Sequence, residues 1–190
     1  MNSIEELIET VSHDMLNPEH NFNIAIKYEQ LGQTASAVSF YLRAAEYGHE
    51  THPEIVYASL LRMSHCFEDQ SGREHTVSNV ILQAIQYLPT RPEAYFLMSR
   101  FYERSQKWQE SYTFAEIGLM FNQDIDPLPV DVDFPGMYVL SFEKAVSGWW
   151  IGRKDESLNI FTQLFQEDIR EDYKNTIKYN LEKMGKNVII

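Results

Sequence analysis

The sequence predicts an all-α chain of stacked two-helix repeats with a further helix at either end. Three observations carry that prediction. Apolar residues recur three and four apart, the spacing that aligns them on one helical face, along most of the 190 residues. Helix-start signals that combine a cap residue with a proline recur at Asn17 and Pro18, at Thr51 and Pro53, and at Thr90 and Pro92. Each start is followed by two helix-length segments around a polar or glycine-bearing turn, giving a repeat of about 34 residues. A single hairpin of this kind cannot bury its apolar faces alone, so neighbouring copies must stack.

Taken in order, residues 3–16 open with Ser3 and Glu6 in capping-box spacing, and Ile4, Leu7, Ile8, Val11 and Met15 form one stripe. This N-terminal helix is expected to cover the first repeat. Residues 18–50 are repeat 1. Ile24, Ala25 and Tyr28 stripe its first helix and Ala37, Tyr41, Ala44 and Ala45 its second, while Gly32 sits where a left-handed residue would end a helix. Residues 51–89 are repeat 2, lengthened by the insertion EDQSGREH, with Thr51 and Glu54 spaced as a capping box. Residues 90–121 are repeat 3, where Thr90 and Glu93 have the same spacing. Ala94, Met98, Phe101 and Tyr102 face Trp108, Tyr112, Ala115 and Leu119 across a polar turn.

Residues 122–136, NQDIDPLPVDVDFPG, hold three of the seven prolines and the aspartates Asp124, Asp126, Asp131 and Asp133. Proline at that density cannot continue a helix. Leu128, Val130, Val132 and Phe134 are more apolar than a free linker requires, so an ordered loop is expected. Helical patterning resumes in residues 137–166 as repeat 4, turning at Gly152, and residues 167–190 read as a C-terminal capping helix with Tyr173, Ile177, Leu181 and Met184 apolar among charges. The whole chain is expected to form a single helical-repeat domain.

An apolar fraction of 44% and an aromatic fraction of 13% are enough for a core rich in rings. The net charge of −12 disfavours nucleic acid and anionic membrane as partners, because both reward a basic face. Cys66, the single cysteine, lies in the apolar stretch SLLRMSHCF and is expected to be a packed thiol. The acidic N-terminus MNSIEELIET lacks the regions of a secretion signal, and no apolar run is long enough to span a bilayer. A cytoplasmic, reducing location is expected.

The residues of repeats 1 and 3 resemble the tetratricopeptide repeat family. Ile24, Ala25, Tyr28, Ala37, Tyr41 and Ala44 stand at that pattern's positions in repeat 1, and Tyr95, Met98, Ser99, Tyr102, Ser111, Ala115 and Gly118 in repeat 3; Asn21 departs from it. The resemblance implies a right-handed superhelix whose first helices line the inner surface. It maps the inward positions onto Glu19, Phe22, Ile26, Glu29 and Gln30, and onto Glu93, Phe96, Arg100, Glu103 and Arg104. Apolar Phe22, Ile26 and Phe96 on such a face suggest a groove for a peptide or helix. The order LPTRPEAYFLMSRFYE, WQESYTFAEIGL, a proline-rich insert and YVLSFEKAVSGWWIGRKDESL is also similar to the helical repeat region attached to some bacterial and viral glycosyltransferases. Their catalytic nucleotide-sugar-binding α/β domain has no counterpart here.

Other side chains carry weaker signals. Asp131 and Asp133 form the D-V-D spacing that many glycosyltransferases use to hold a divalent metal, but two carboxylates on an acidic chain fit a solvated loop better, and no metal is assigned. Asp131, Asp133 and Phe134 remain a candidate recognition loop. His13, His20, His49, His52, His65 and His75 are scattered without a ligand or nucleophile pattern. Adjacent Trp149 and Trp150 cannot face the same way on a helix, so one is expected in the core and one exposed. The expected function is noncatalytic and cofactor-free, a scaffold or adaptor for a protein, a peptide or a second copy. The alternative is an accessory module that docks to a glycosyltransferase or presents its substrate, and a third reading builds a stand-alone enzyme on the Asp131 to Asp133 loop.

Overall fold

The structure is a computed structural model and describes residues 3–70, 72–121 and 126–185. Among the described residues it contains ten helices and no strand, in agreement with the all-α expectation. They divide into two compact units, one formed by residues 3–90 with 126–133, the other by 91–121 with 134–185. Among the described residues, no helix is long and apolar enough to cross a membrane.

The first unit holds α1 (Ile4–His13), α2 (Pro18–Gln30), α3 (Thr34–Gly48), α4 (Pro53–Glu68) and α5 (Glu74–Tyr87). Ser3 and Glu6 close the expected capping box on α1, and the Asn17 side chain caps α2 at His20 N. Ala25, Ala37 and Ala44 are fully buried, which lets α2 and α3 approach closely around the buried ring of Tyr41. Asn21, the departure from the repeat pattern, is also fully buried. Its amide donates to the carbonyls of Met15 and Asn17 at 2.9 and 2.8 Å, tying the α1–α2 connection to the core. Cys66 is buried as expected, and burial pushes its thiol up to about 12.

The second unit holds α6 (Glu93–Arg104), α7 (Trp108–Gly118), α8 (Tyr138–Trp150), α9 (Lys154–Gln166) and α10 (Glu171–Lys183). Serines occupy the close-approach positions here. Ser99 Oγ donates to the carbonyl of Ser111 at 2.9 Å, and the Ser111 and Ser147 hydroxyls lie 2.6 Å apart, so α6, α7 and α8 share a buried polar chain with its bonds satisfied. A β-carbon at Gly118 would come within 2.9 Å of both Tyr95 Cβ and Leu140 Cδ2. Ala145, Phe161, Leu164, Ile177 and Leu181 form the core beneath α8, α9 and α10. Trp150 is 62% exposed and stacks on Trp108 with ring centroids 5.3 Å apart, while Trp149 is half-buried, so Trp150 is the one of the pair that faces solvent.

Two caps differ from expectation. The N-cap of α4 is His52 and that of α6 is Pro92, and neither makes a side-chain cap. Thr51 Oγ1 instead pairs with His52 Nδ1 at 2.8 Å, and the Glu93 carboxylate is bound by Arg91 at 2.6 Å. An ionic partner one residue before the proline has displaced the capping arrangement at Glu93.

Three helix ends follow one device. After α2, Gly32 N–H donates to Glu29 O at 2.8 Å and Gln33 N–H to Tyr28 O at 2.9 Å, with Gly32 at φ 71°. The same pair of bonds follows α6 at Gln106 and Lys107, and α8 at Gly152 and Arg153. This is the Schellman arrangement, which requires a left-handed residue. At Gln106 that role falls to a side chain with a β-carbon, at φ 55°. Gln106→Gly is therefore expected to raise stability by about 1 kcal/mol, measured as a shifted urea midpoint with unchanged slope; a loss of stability would refute the strain.

Candidate functional site

In the first unit, the expected inward face is largely engaged within the protein. Phe22, expected on an open groove, is a core residue: it is 3% exposed and meets the ring of Tyr41 edge-on at 5.8 Å. Ile26 is half-buried, and only Glu19 and Gln30 of this group are exposed. Glu29 accepts from Tyr41 Oη at 2.6 Å and from Arg62 Nε at 3.1 Å in a two-pronged ion pair. Arg62 also donates to the carbonyl of Asp131 at 2.9 Å, which fastens the Asp/Pro-rich segment to α4. His65, one turn along α4, is held below its ordinary value by burial and by the Arg62 charge.

Of that segment, residues 126–136 are described, and Val132 within them is buried. Asp131 Oδ1 accepts from Asp133 N–H at 2.9 Å, so one carboxylate oxygen closes a local turn, and Asp133 itself lies at φ 59°. Asp124 lies outside the described residues. Among the described residues no group of three or more His, Cys, Asp and Glu side chains converges on a point. A separate cavity of about 740 Å³ lies between α3, α4 and α5, with Leu42, Ala45, Val56, Leu60 and Tyr87 as its apolar lining.

In the second unit, Phe96 is fully buried and meets Phe134 edge-on at 5.7 Å, so both rings belong to the packing and not to an open groove. Glu93 is 4% exposed and paired with Arg91. Arg100 and Glu103 do face open space, and Arg104 is exposed. The Arg100 guanidinium lies over the Phe96 ring at 5.4 Å from its centroid.

Arg100 and Glu103 form one wall of a cavity of about 300 Å³ between α6, α8 and α10. Phe142, Glu143 and Val146 supply its floor from α8, and Asp172, Tyr173 and Thr176 its far wall from α10. Phe142 is held edge-on between Phe161 at 5.7 Å and Tyr173 at 5.0 Å, which fixes the aromatic side. Asp172 is held by Arg170 through bonds of 3.1 and 2.8 Å. Glu143 is different: it is 6% exposed, and among the described residues it has neither a hydrogen bond nor an ion pair. Burial first, and then the nearby Glu103 carboxylate, push its carboxyl up to about 8 against the partial relief of Arg100 and Arg104.

The mapped inward positions found Arg100 and Glu103 and missed the other walls. Fourth-copy positions counted back from its turn glycine, Gly152, as they count back from Gly32 in the first, would have found Phe142 and Val146. Glu143 carries a signal of its own, as the one acid four residues from both Val139 and Ser147 on the buried stripe of α8.

A buried acid with a raised pKa makes a signed prediction. Below about 4.5 both folded and unfolded chains hold the Glu143 proton, and between 4.5 and about 8 only the folded chain does. This group therefore withdraws stability as pH rises through that window and has no further effect above it. Glu143→Gln is expected to match the parent near pH 4.5 and exceed it at pH 8 by a few kcal/mol, since each tenfold change in proton affinity is worth about 1.4 kcal/mol. Paired urea titrations at the two pH values check this, and equal differences at both would refute it.

No protein-family model matches the chain, and a comparison with curated proteins finds no significant relative. Solved structures do match. MamA from Desulfovibrio magneticus RS-1 is 13% identical with a TM-score of 0.62, covering 86% of this chain and 82% of its own. YrrB, described as a tetratricopeptide protein with an unusual peptide-binding site, is 11% identical with a TM-score of 0.64, covering 95% and 86%. A thermophilic tetratricopeptide protein of Thermus thermophilus, TTC0263, is 12% identical with a TM-score of 0.60, covering 94% and 89%. At such identities the likeness speaks for the fold alone, and the fold it shows is a helical repeat of the tetratricopeptide type.

Proposed function

We propose that this chain is a noncatalytic scaffold that binds a peptide or protein segment on the α6, α8 and α10 face of its second unit. The observation that carries the reading is the cavity there, where first helices of successive repeats and the last helix converge with exposed polar edges and an aromatic floor. The peptide-binding site of the similarly folded YrrB supports the same use of the fold. Arg104 on α6 is proposed as a flanking contact of that face; in the first unit, taken by itself, Glu19, Ile26 and Gln30 on α2 and the loop residues Asp131 and Asp133 are proposed as contacts. The buried Cys66 fits a reducing, cytoplasmic setting.

The test is to pan a displayed peptide library on the intact chain at physiological salt. Selected peptides are expected to lose affinity at least about tenfold, or about 1.4 kcal/mol, in Thr176→Trp, an exposed position whose new ring would fill the cavity. Helical circular dichroism should be unchanged. Failure to select any peptide, or equal binding by the blocked variant, refutes this reading.

A second reading makes the chain an accessory module of a glycosylation system. It draws on the sequence resemblance to glycosyltransferase-attached repeats and on the exposed Trp150 stacked on Trp108, a flat platform of the kind sugar rings cover. A glycan array probed with the parent and with Trp150→Ala decides whether the chain holds substrate. Binding by the parent that is lost in the variant is expected, and silence from both sets that role aside.

A further inference from the structure

We propose that the cavity between α6, α8 and α10 receives a lysine or arginine side chain of the bound polypeptide, with Glu143 as counter-ion and Phe142 and Tyr173 as walls. The proposal rests on the scaffold reading and names the chemistry of its partner. Its ground is an imbalance within the site. Three carboxyl groups, Glu103, Glu143 and Asp172, line the cavity beside Arg100, and Arg104 acts on Glu143 from the same helix. Asp172 is already bound by Arg170, the Arg100 guanidinium is drawn over Phe96, and Arg100 and Arg104 relieve Glu143 only in part, so its carboxyl has no hydrogen bond or ion pair among the described residues.

A carboxyl that is almost fully buried and has no hydrogen-bond partner is costly in the empty protein. A ligand that brings a positive charge to it recovers that cost at the moment of binding. The space suits such a ligand: about 300 Å³ is at the small end of ligand sites and takes one long side chain more readily than a folded segment. Aromatic rings beside a carboxylate complement both the alkyl stem and the charged head of lysine or arginine. An anionic group such as a phosphorylated side chain would meet the Glu103 and Asp172 carboxylates and is disfavoured.

Charge also gives the site a pH response. The groups facing Glu143 are Arg100, Glu103 and Arg104 from α6 and Asp172 and Tyr173 from α10. In the empty protein Glu143 keeps its proton up to about 8. An arriving cation favours the carboxylate, so binding releases that proton, and affinity rises with pH until Glu143 is ionised without help.

The probes are Nα-acetyl-lysine amide and its uncharged analogue Nα-acetyl-norleucine amide, titrated into the intact chain while the resonances of Phe142, Val146 and Tyr173 are followed. Saturable binding of the lysine amide in the millimolar range is expected, with the norleucine amide showing none. Affinity should fall at least threefold between about pH 8.5 and 6, and Glu143→Gln should abolish binding and its pH dependence with the fold retained. Glu143→Asp should keep part of it. Equal binding of norleucine amide, unchanged binding by Glu143→Gln, or no binding at all overturns the proposal. Binding of putrescine without the lysine amide overturns the polypeptide source. Selection of peptides without basic residues would leave the scaffold reading standing and remove this one, whereas lysine amide binding with no selected peptide would count against the scaffold reading alone.

Discussion

Helices can stack in this chain only where side chains are small enough to let backbones meet. Ala25, Ala37 and Ala44 do this in the first unit, and Ser99, Ser111, Ser147 and Gly118 in the second. At Gly118 the neighbours leave no room for even a β-carbon. Large rings then fill what remains between the close points, with Tyr41 in the first unit and Tyr112 and Phe161 in the second. The two units meet this requirement differently. Alanines give an apolar contact that tolerates small shifts, whereas linked serine hydroxyls bind three helices through directional bonds.

Polar groups that the packing cannot avoid are resolved in some places and left open in others, among them Asn21 Oδ1, Ser59 Oγ and Tyr138 Oη. Glu29, Tyr41 and Arg62 satisfy one another, and Tyr112, Glu156 and Lys144 form a comparable cluster, with Lys144 Nζ 3.1 Å from the Glu156 carboxylate and the Tyr112 hydroxyl 3.0 Å from it. Desolvation acts on the charged members of both clusters, and their hydrogen bonds and ion pairs oppose it. Glu143 combines deep burial with no such partner.

Much of the architecture was legible in order along the chain. The all-α class, the paired helices, the left-handed Gly32, the Ser3 and Asn17 caps and the buried Cys66 rest on local rules, and local rules read well from sequence. Phe22 and Phe96 were misplaced because a repeat pattern specifies which side of a helix a residue occupies, not how deeply a neighbouring ring covers it. Tyr41 and Phe134, both distant in sequence, decide that question. Glu93 was read as a cap for a different reason: its partner Arg91 is only two residues away, and the helix begins at Glu93 with Pro92 at the cap position, not Thr90. The cavity around Glu143 needed three helices to exist at all. Its acid stood out in the apolar stripe of α8, but nothing local said that Phe142 and Tyr173 would enclose it.

The bond from Arg62 to the carbonyl of Asp131 spans 69 residues of chain. It makes the first unit discontinuous, because the segment that completes it is synthesised after α6 and α7. Five helices must therefore hold a provisional arrangement during translation, with the arginine anchored on Glu29 alone until its second acceptor arrives. Low contact order normally lets a helical array assemble as it is made. Here one late clasp separates the formation of the helices from the completion of the unit, so the final step belongs to a short proline-stiffened strand of backbone and not to any helix.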